Sequence, residues 1–145
     1  MKKIFILSAF LLFFVLGINA QNKVVEKYAK NPEIETITIS KEMMNMLGSQ
    51  AWLKELTEEI DTKSLEGSKI LFCRKAELSK EMYNDIVSNI EKDKHYTELM
   101  RETSKERCIL AFGKKQGNSY SEIIMVATMS DTTAVVEFVG KFPVD

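Results

Sequence analysis

The chain has 145 residues, with 20 basic and 21 acidic side chains, one His, six Gly and two Pro. Its charges are interspersed and never gathered into a basic stripe, which excludes the electrostatic footprint of a nucleic-acid-binding protein. The low Gly and Pro content, with 45% hydrophobic residues, excludes a linker-rich or disordered chain.

Lys2 and Lys3 open the chain, and an apolar run follows from Ile4 to Leu16 in which Ser8 is the only polar side chain. The segment ends Gly17-Ile18-Asn19-Ala20, and small Ala20 with aliphatic Ile18 two places before it fits a signal-peptidase site. Residues 1–20 therefore read as a cleavable secretory signal peptide. The apolar run is shorter than the roughly 20 residues that cross a bilayer as a helix, so no stable membrane span is expected after cleavage. No Cys follows the cleavage point, which argues against a lipid anchor. Of the 145 residues, 125 follow the leader, enough for one domain with one core over residues 21–145. The expected location is periplasmic or secreted.

Lys23 to Lys30 carries Val24, Val25, Tyr28 and Ala29 on a helical stripe, stopped by Asn31-Pro32. Glu35 to Ile39 alternates as a strand, with Ile37 and Ile39 on one face. Ser40 is placed to cap a helix from Lys41 to Leu47 that Gly48 ends, and Ser49 to cap another carrying Leu53, Leu56 and Ile60. Trp52, in that second helix, reads as a core or rim residue. After the polar stretch Asp61–Gly67, Lys69–Arg74 reads as an interior strand, apolar on both faces. Ser79 is the expected cap of a helix whose stripe is Met82, Tyr83, Ile86, Val87 and Ile90. Tyr96–Glu102 fits strand or helix. Arg107–Phe112, Tyr120–Met129 and Thr133–Phe142 read as strands joined by turns at Lys114–Asn118 and Ser130-Asp131, an antiparallel meander. The expected fold is α+β: a mixed, mainly antiparallel sheet of five or six strands with packed helices and a C-terminal β-meander.

The most informative feature is that the late strands are apolar on two faces. Ile123, Met125, Ala127 and Met129 alternate with Ile124 and Val126, and Ile109 and Ala111 alternate with Cys108, Leu110 and Phe112. A sheet covered by helices on one side should instead alternate apolar with polar. Three readings account for this: helices or a long segment covering both faces, which is the favoured one, a second protein or second copy on the open face, or a pocket for an apolar ligand. Ile109, Ala111, Ile123, Met125 and Ala127 form the candidate interaction surface.

No catalytic set accompanies it. His95 lies in the charged connection Lys92–Tyr96, and no G-x-S-x-G elbow supplies a nucleophile for it. Metal and cofactor sites are not expected, since the chain has no C-x-x-C and no second His. Met43, Met44 and Met46 place three thioethers within four residues, but helical geometry separates them and Met commonly fills core gaps. Gly113-Lys114-Lys115-Gln116-Gly117 does not follow the G-x-x-x-x-G-K-[ST] pattern of a phosphate loop and reads as a hairpin turn. Cys73 and Cys108, in an exported chain, could bridge if their strands were neighbours and shared a face; otherwise they are two buried thiols.

The runs TITISKEMMNML (36–47), SKILFCRK (68–75), YTELM (96–100), SEIIMV (121–126) and VGKF (139–142), after a leader ending Ala-Gln, resemble domain-of-unknown-function family 4252. The resemblance implies a small exported α+β protein of the Gram-negative envelope, mostly found in Bacteroidetes, and carries over no functional residues. The function expected is non-enzymatic: a binding module for a protein partner or a second copy of the chain. The alternatives are a carrier of a small apolar ligand and a hydrolase using His95 with Ser104 or a carboxylate.

Overall fold

The computed structural model describes residues 22–48 and 64–144. The expected leader, the helix expected from Ser49 and Trp52 lie outside these residues. Element order is α1 (Lys23–Ala29), β1 (Glu35–Ser40), α2 (Lys41–Gly48), β2 (Leu65–Cys73), α3 (Ala76–Lys92), β3 (Tyr96–Thr103), β4 (Arg107–Gln116), β5 (Ser119–Met129) and β6 (Thr132–Pro143). The strands form one six-stranded sheet in the order β1-β2-β6-β5-β4-β3. Every pairing is antiparallel, so the mainly antiparallel α+β sheet with its C-terminal meander is present, and Tyr96–Glu102 resolves as strand. Among the described residues, no helix is long and apolar enough to cross a membrane.

Local chemistry explains most of the boundaries. The Asn22 side chain accepts from the Val24 and Val25 N–H groups, which caps α1. The Ser40 hydroxyl accepts from Met43 N–H at 3.2 Å and starts α2 where expected. Ser79 is not the cap of α3. That helix begins at Ala76 behind Lys75, which makes no side-chain cap bond, and Ser79 turns inward to meet Thr133 Oγ1 at 2.7 Å. A hydroxyl buried against a strand hydroxyl is satisfied there, so it is not needed as a cap. Strands β2 and β4 run longer than the apolar signal, because backbone pairing continues through polar residues: Leu65 pairs with Gly140 and Gln116 with Ser119. The β4–β5 turn shrinks to Gly117-Asn118, with Gly117 at φ 62°.

Helices α1 and α3 cover one face of the sheet. Met82, Ile86 and Ile90, four residues apart on α3, are essentially inaccessible. They pack with Val25 and Tyr28 of α1 on Leu71, Leu110, Phe112, Ile124, Val126 and Val135. Asp85 ties the two helices together, accepting from Lys27 Nζ at 3.0 Å and Tyr28 Oη at 2.9 Å. The hydrogen bonds from Lys27 and then Tyr28 hold its carboxyl below the usual carboxylate range.

Gly140 is sterically required. A Cβ there would run into the Ser64 carbonyl oxygen, a backbone atom that cannot move aside without breaking the β2–β6 register. Gly140→Ala is expected to cost about 2–4 kcal/mol and Gly117→Ala, in open space but at positive φ, about 1 kcal/mol. Urea unfolding of the two variants checks the order.

Candidate functional site

Register alone places the candidate interaction residues. Ile109 pairs with Ala127, Ala111 with Met125 and Gly113 with Ile123, so Ile109, Ala111, Ile123, Met125 and Ala127 all share one face. It is the face opposite α1 and α3. The pairing extends across the sheet: Ile37, Ile70, Val136, Met125, Ala111 and Met100 form one unbroken apolar rung over all six strands. The rungs on either side carry Phe72, Ala134, Ala127 and Ile109, and Ile39, Phe138 and Ile123.

One residue along each strand, the helix-facing rung Leu71-Val135-Val126-Leu110 is wholly buried. The open rung is not. Ile37 is 57% and Met100 41% exposed, and most residues between them are half-buried. Among the described residues the α1 and α3 stripes both lie on the other side, while α2 contacts β1 and β2. Charges reach the open face only at its margins: Glu35 on β1, Arg74 with its guanidinium 4.8 Å from the centre of the Phe72 ring, and Arg107 donating to Glu102 at 2.9 Å. Six strands spaced by about 4.8 Å and three rungs by about 7 Å spread over several hundred Å², the order of what one partner buries in a standard interface.

On the other face, directly beneath the start of α1, lies a polar group that the sequence reading missed. Glu122 on β5 and Glu137 on β6 are 0% and 1% exposed. Tyr96 Oη donates to Glu122 Oε1 at 2.8 Å and accepts from Asn22 Nδ2 at 3.2 Å. The Asn22 backbone N–H hydrogen-bonds the Glu137 carboxylate. Lys69, the cross-strand neighbour of Glu137, pairs with Glu26 of α1. The second oxygen of each buried glutamate, Glu122 Oε2 and Glu137 Oε2, has no hydrogen-bond partner. Burial first, and then the negative charge of Glu122, raises the Glu137 carboxyl to about 7. Burial likewise raises Glu122, against the hydrogen bond from Tyr96. The sequence carried a faint signal for this pair, because Glu122 and Glu137 fall at inward positions of strands that are otherwise apolar there.

The chemistry weighed from sequence is dispersed. His95 is exposed in the turn before β3, its Nδ1 2.8 Å from Asp93 Oδ1. Ser104 follows the far end of β3 and accepts from the Glu106 and Arg107 N–H groups. Eight strand residues separate the two, nine steps or about 30 Å at 3.3 Å per residue, so they form no nucleophile–base pair. Met43 and Met46 on α2 are exposed. Among the described residues no group of three or more His, Cys, Asp or Glu side chains could hold a metal ion. A hollow of about 490 Å³ at the β4–β5 turn is bordered by Gln116, Asn118, Ser119, Gly140, Lys141 and Pro143.

Of the two readings of the cysteines, separate thiols is the one the structure shows. Cys73, Thr133, Thr128 and Cys108 form a single rung, so the cysteines share a face but stand three strand spacings apart, about 14 Å. A bridge needs Cα atoms within about 7 Å, and both thiols are free.

The profile of the family described as Domain of unknown function (DUF4252) matches residues 28–145. The chain belongs to this family. The match takes in every strand and the whole of α3, so the open apolar face and both buried glutamates lie within DUF4252. No curated protein and no solved structure shows significant similarity to the chain.

Two measurements follow from this geometry. In a chain with residues preceding Asn22, Glu137 holds its proton more tightly folded than unfolded. Its contribution is therefore fully present below about pH 4.5 and is lost as pH rises through about 7. Stability should fall by about 3 kcal/mol between pH 4.5 and 8, and Glu137→Gln should flatten that slope in denaturant titrations. Unfolding without reductant should expose two alkylatable thiols per chain, counted by intact mass.

Proposed function

We propose that this DUF4252 chain is an exported, non-enzymatic interaction module of the cell envelope whose open sheet face packs against a second copy of itself. The observation that carries the reading is the apolar rung from Ile37 to Met100, continuous across six strands and left half-exposed. At about 25 cal/mol per Å², several hundred Å² of such surface is worth several kcal/mol if it is removed from water. The occupant is argued from charge. With charged groups confined to the margins, the centre of the patch offers nothing for a polar or charged partner to match. A neutral, flat, twisted sheet of the same shape fits it, in the manner of aligned sheet packing. Among the described residues the three central rungs carry one polar side chain between the margins, Ser68, which disfavours a small ligand that needs convergent polar contacts for orientation. Export is supported by the leader pattern Lys2 to Ala20 and by an apolar run too short to remain as a span.

The test is sedimentation equilibrium of the processed chain. A dimer is expected, and the pair Ile123→Glu with Met125→Lys should raise its dissociation constant at least about 100-fold, the scale of burying unpaired charge. Circular dichroism and melting should remain those of a folded domain. A monomeric wild type at tens of micromolar overturns the dimer, and recovery of the unprocessed chain from the cytosol overturns export.

A further inference from the structure

We propose that Met100 and Met129 are oxidation sites through which a peroxide dissolves the pairing of open faces, and at which a methionine sulfoxide reductase restores it. The inference rests on the dimer reading above and deepens it by naming what regulates that surface.

Methionine is sorted by face. Among the described residues the strands carry it at Met100, Met125 and Met129, and all three belong to the open side. Met100 and Met125 flank Ala111 on one rung, and Met129 lies two residues beyond Ala127 on the same face of β5. The sheet layer beneath the helices is built instead from Leu71, Leu110, Phe112, Ile124, Val126 and Val135. Met82 of α3 packs on that layer and is 0% exposed. Met100 and Met129 are 41% and 60% exposed, far out for a side chain that is usually buried. The dry core shields its thioether from a dissolved oxidant, and the open face presents Met100 and Met129 to it.

In the separated chain the thioether sulfur attacks one oxygen of hydrogen peroxide with a lone pair. An S–O bond forms as the O–O bond breaks, and the sulfur gives up two electrons. The proton of the transferred hydroxyl passes to the departing hydroxide, which leaves as water. A polar, chiral sulfoxide now replaces a flexible apolar group, the exchange that disrupts methionine-rich interfaces. Across the strands, Ala111 opposite Met100 has no side-chain donor, and Arg107 opposite Met129 already donates to Glu102. A second copy packed on this face would bury the new acceptors, and a two-fold interface counts each sulfoxide twice. At about tenfold in affinity for each buried, unanswered acceptor, the face releases its partner. A dithiol-dependent reductase removes the oxygen as water, is left with a disulfide, and returns the thioether.

The experiment is sedimentation equilibrium of the processed chain before and after dilute protein is treated with hydrogen peroxide, with peptide masses reporting each methionine. Oxidation at Met100 and Met129, with Met82 untouched and circular dichroism unchanged, should raise the dissociation constant at least about 100-fold. Methionine sulfoxide reductases for both epimers should reverse the change. Dithiothreitol alone, which reverses a disulfide at Cys73 or Cys108, should not. Met100→Leu with Met129→Leu should keep its dimer through the same treatment, although Met43 and Met46, 47% and 66% exposed, still oxidise. The proposal is overturned if the dimer persists with both sulfoxides in place, or if Met100 and Met129 stay reduced while Met43 and Met46 oxidise. It is equally overturned if the double variant dissociates as the wild type does, if dithiothreitol alone restores the dimer, or if oxidised protein loses its fold. A reduced wild type that is monomeric overturns the dimer reading and this proposal together, whereas a reduced dimer that peroxide leaves intact overturns this proposal alone.

Discussion

Everything in this fold hangs on the register of six antiparallel strands. Because side chains alternate with a period of two, the pairing of Leu71 with Val135, Val126 and Leu110 builds a dry layer under the helices. The same pairing, displaced by one residue, aligns Ile70 with Val136, Met125 and Ala111 on the other side. The two layers cannot be chosen independently. A sequence that is apolar at both parities commits the chain to burying two faces, while α1 and α3 supply cover for one.

That asymmetry separates two kinds of polar residue. On the helix side space is closed and polar groups are answered from within, Ser79 by Thr133, Asp85 by Lys27 and Tyr28, and one oxygen of Glu122 by Tyr96, while the second oxygens of Glu122 and Glu137 go unanswered. On the open side, charged groups such as Glu102 and Arg107 answer each other at the rim, where solvent screens them and their pairing is worth little. The buried glutamates lie at the junction between the sheet and the start of α1.

Much of the architecture was legible before any coordinates. Strand alternation in β1, β5 and β6, the α3 stripe and the Ser40 cap are short-range signals, and they place those elements within a few residues. The five residues Ile109, Ala111, Ile123, Met125 and Ala127 share a face as parity requires. What the chain alone could not reveal depends on strand order. Cys73 and Cys108 look like neighbours in apolar strands until β6 and β5 are inserted between them. Glu122 and Glu137 are in phase with buried Ile124, Val126 and Val135, but only the pairing of β5 with β6 brings the two acids near each other. Ser79 has the composition of a cap, and only the position of Thr133 across the core explains its inward turn.

The order of the strands has one more implication. Strand β6, which comes last along the chain, lies between β2 and β5 in the interior of the sheet. Until Thr132–Pro143 is in place, β1 and β2 have no backbone contact with the β3–β5 ribbon, and their shared core exists only as two halves. Assembly is thus a keystone process, in which contacts distant along the chain form together and late, at the cost in loop closure that slows such topologies.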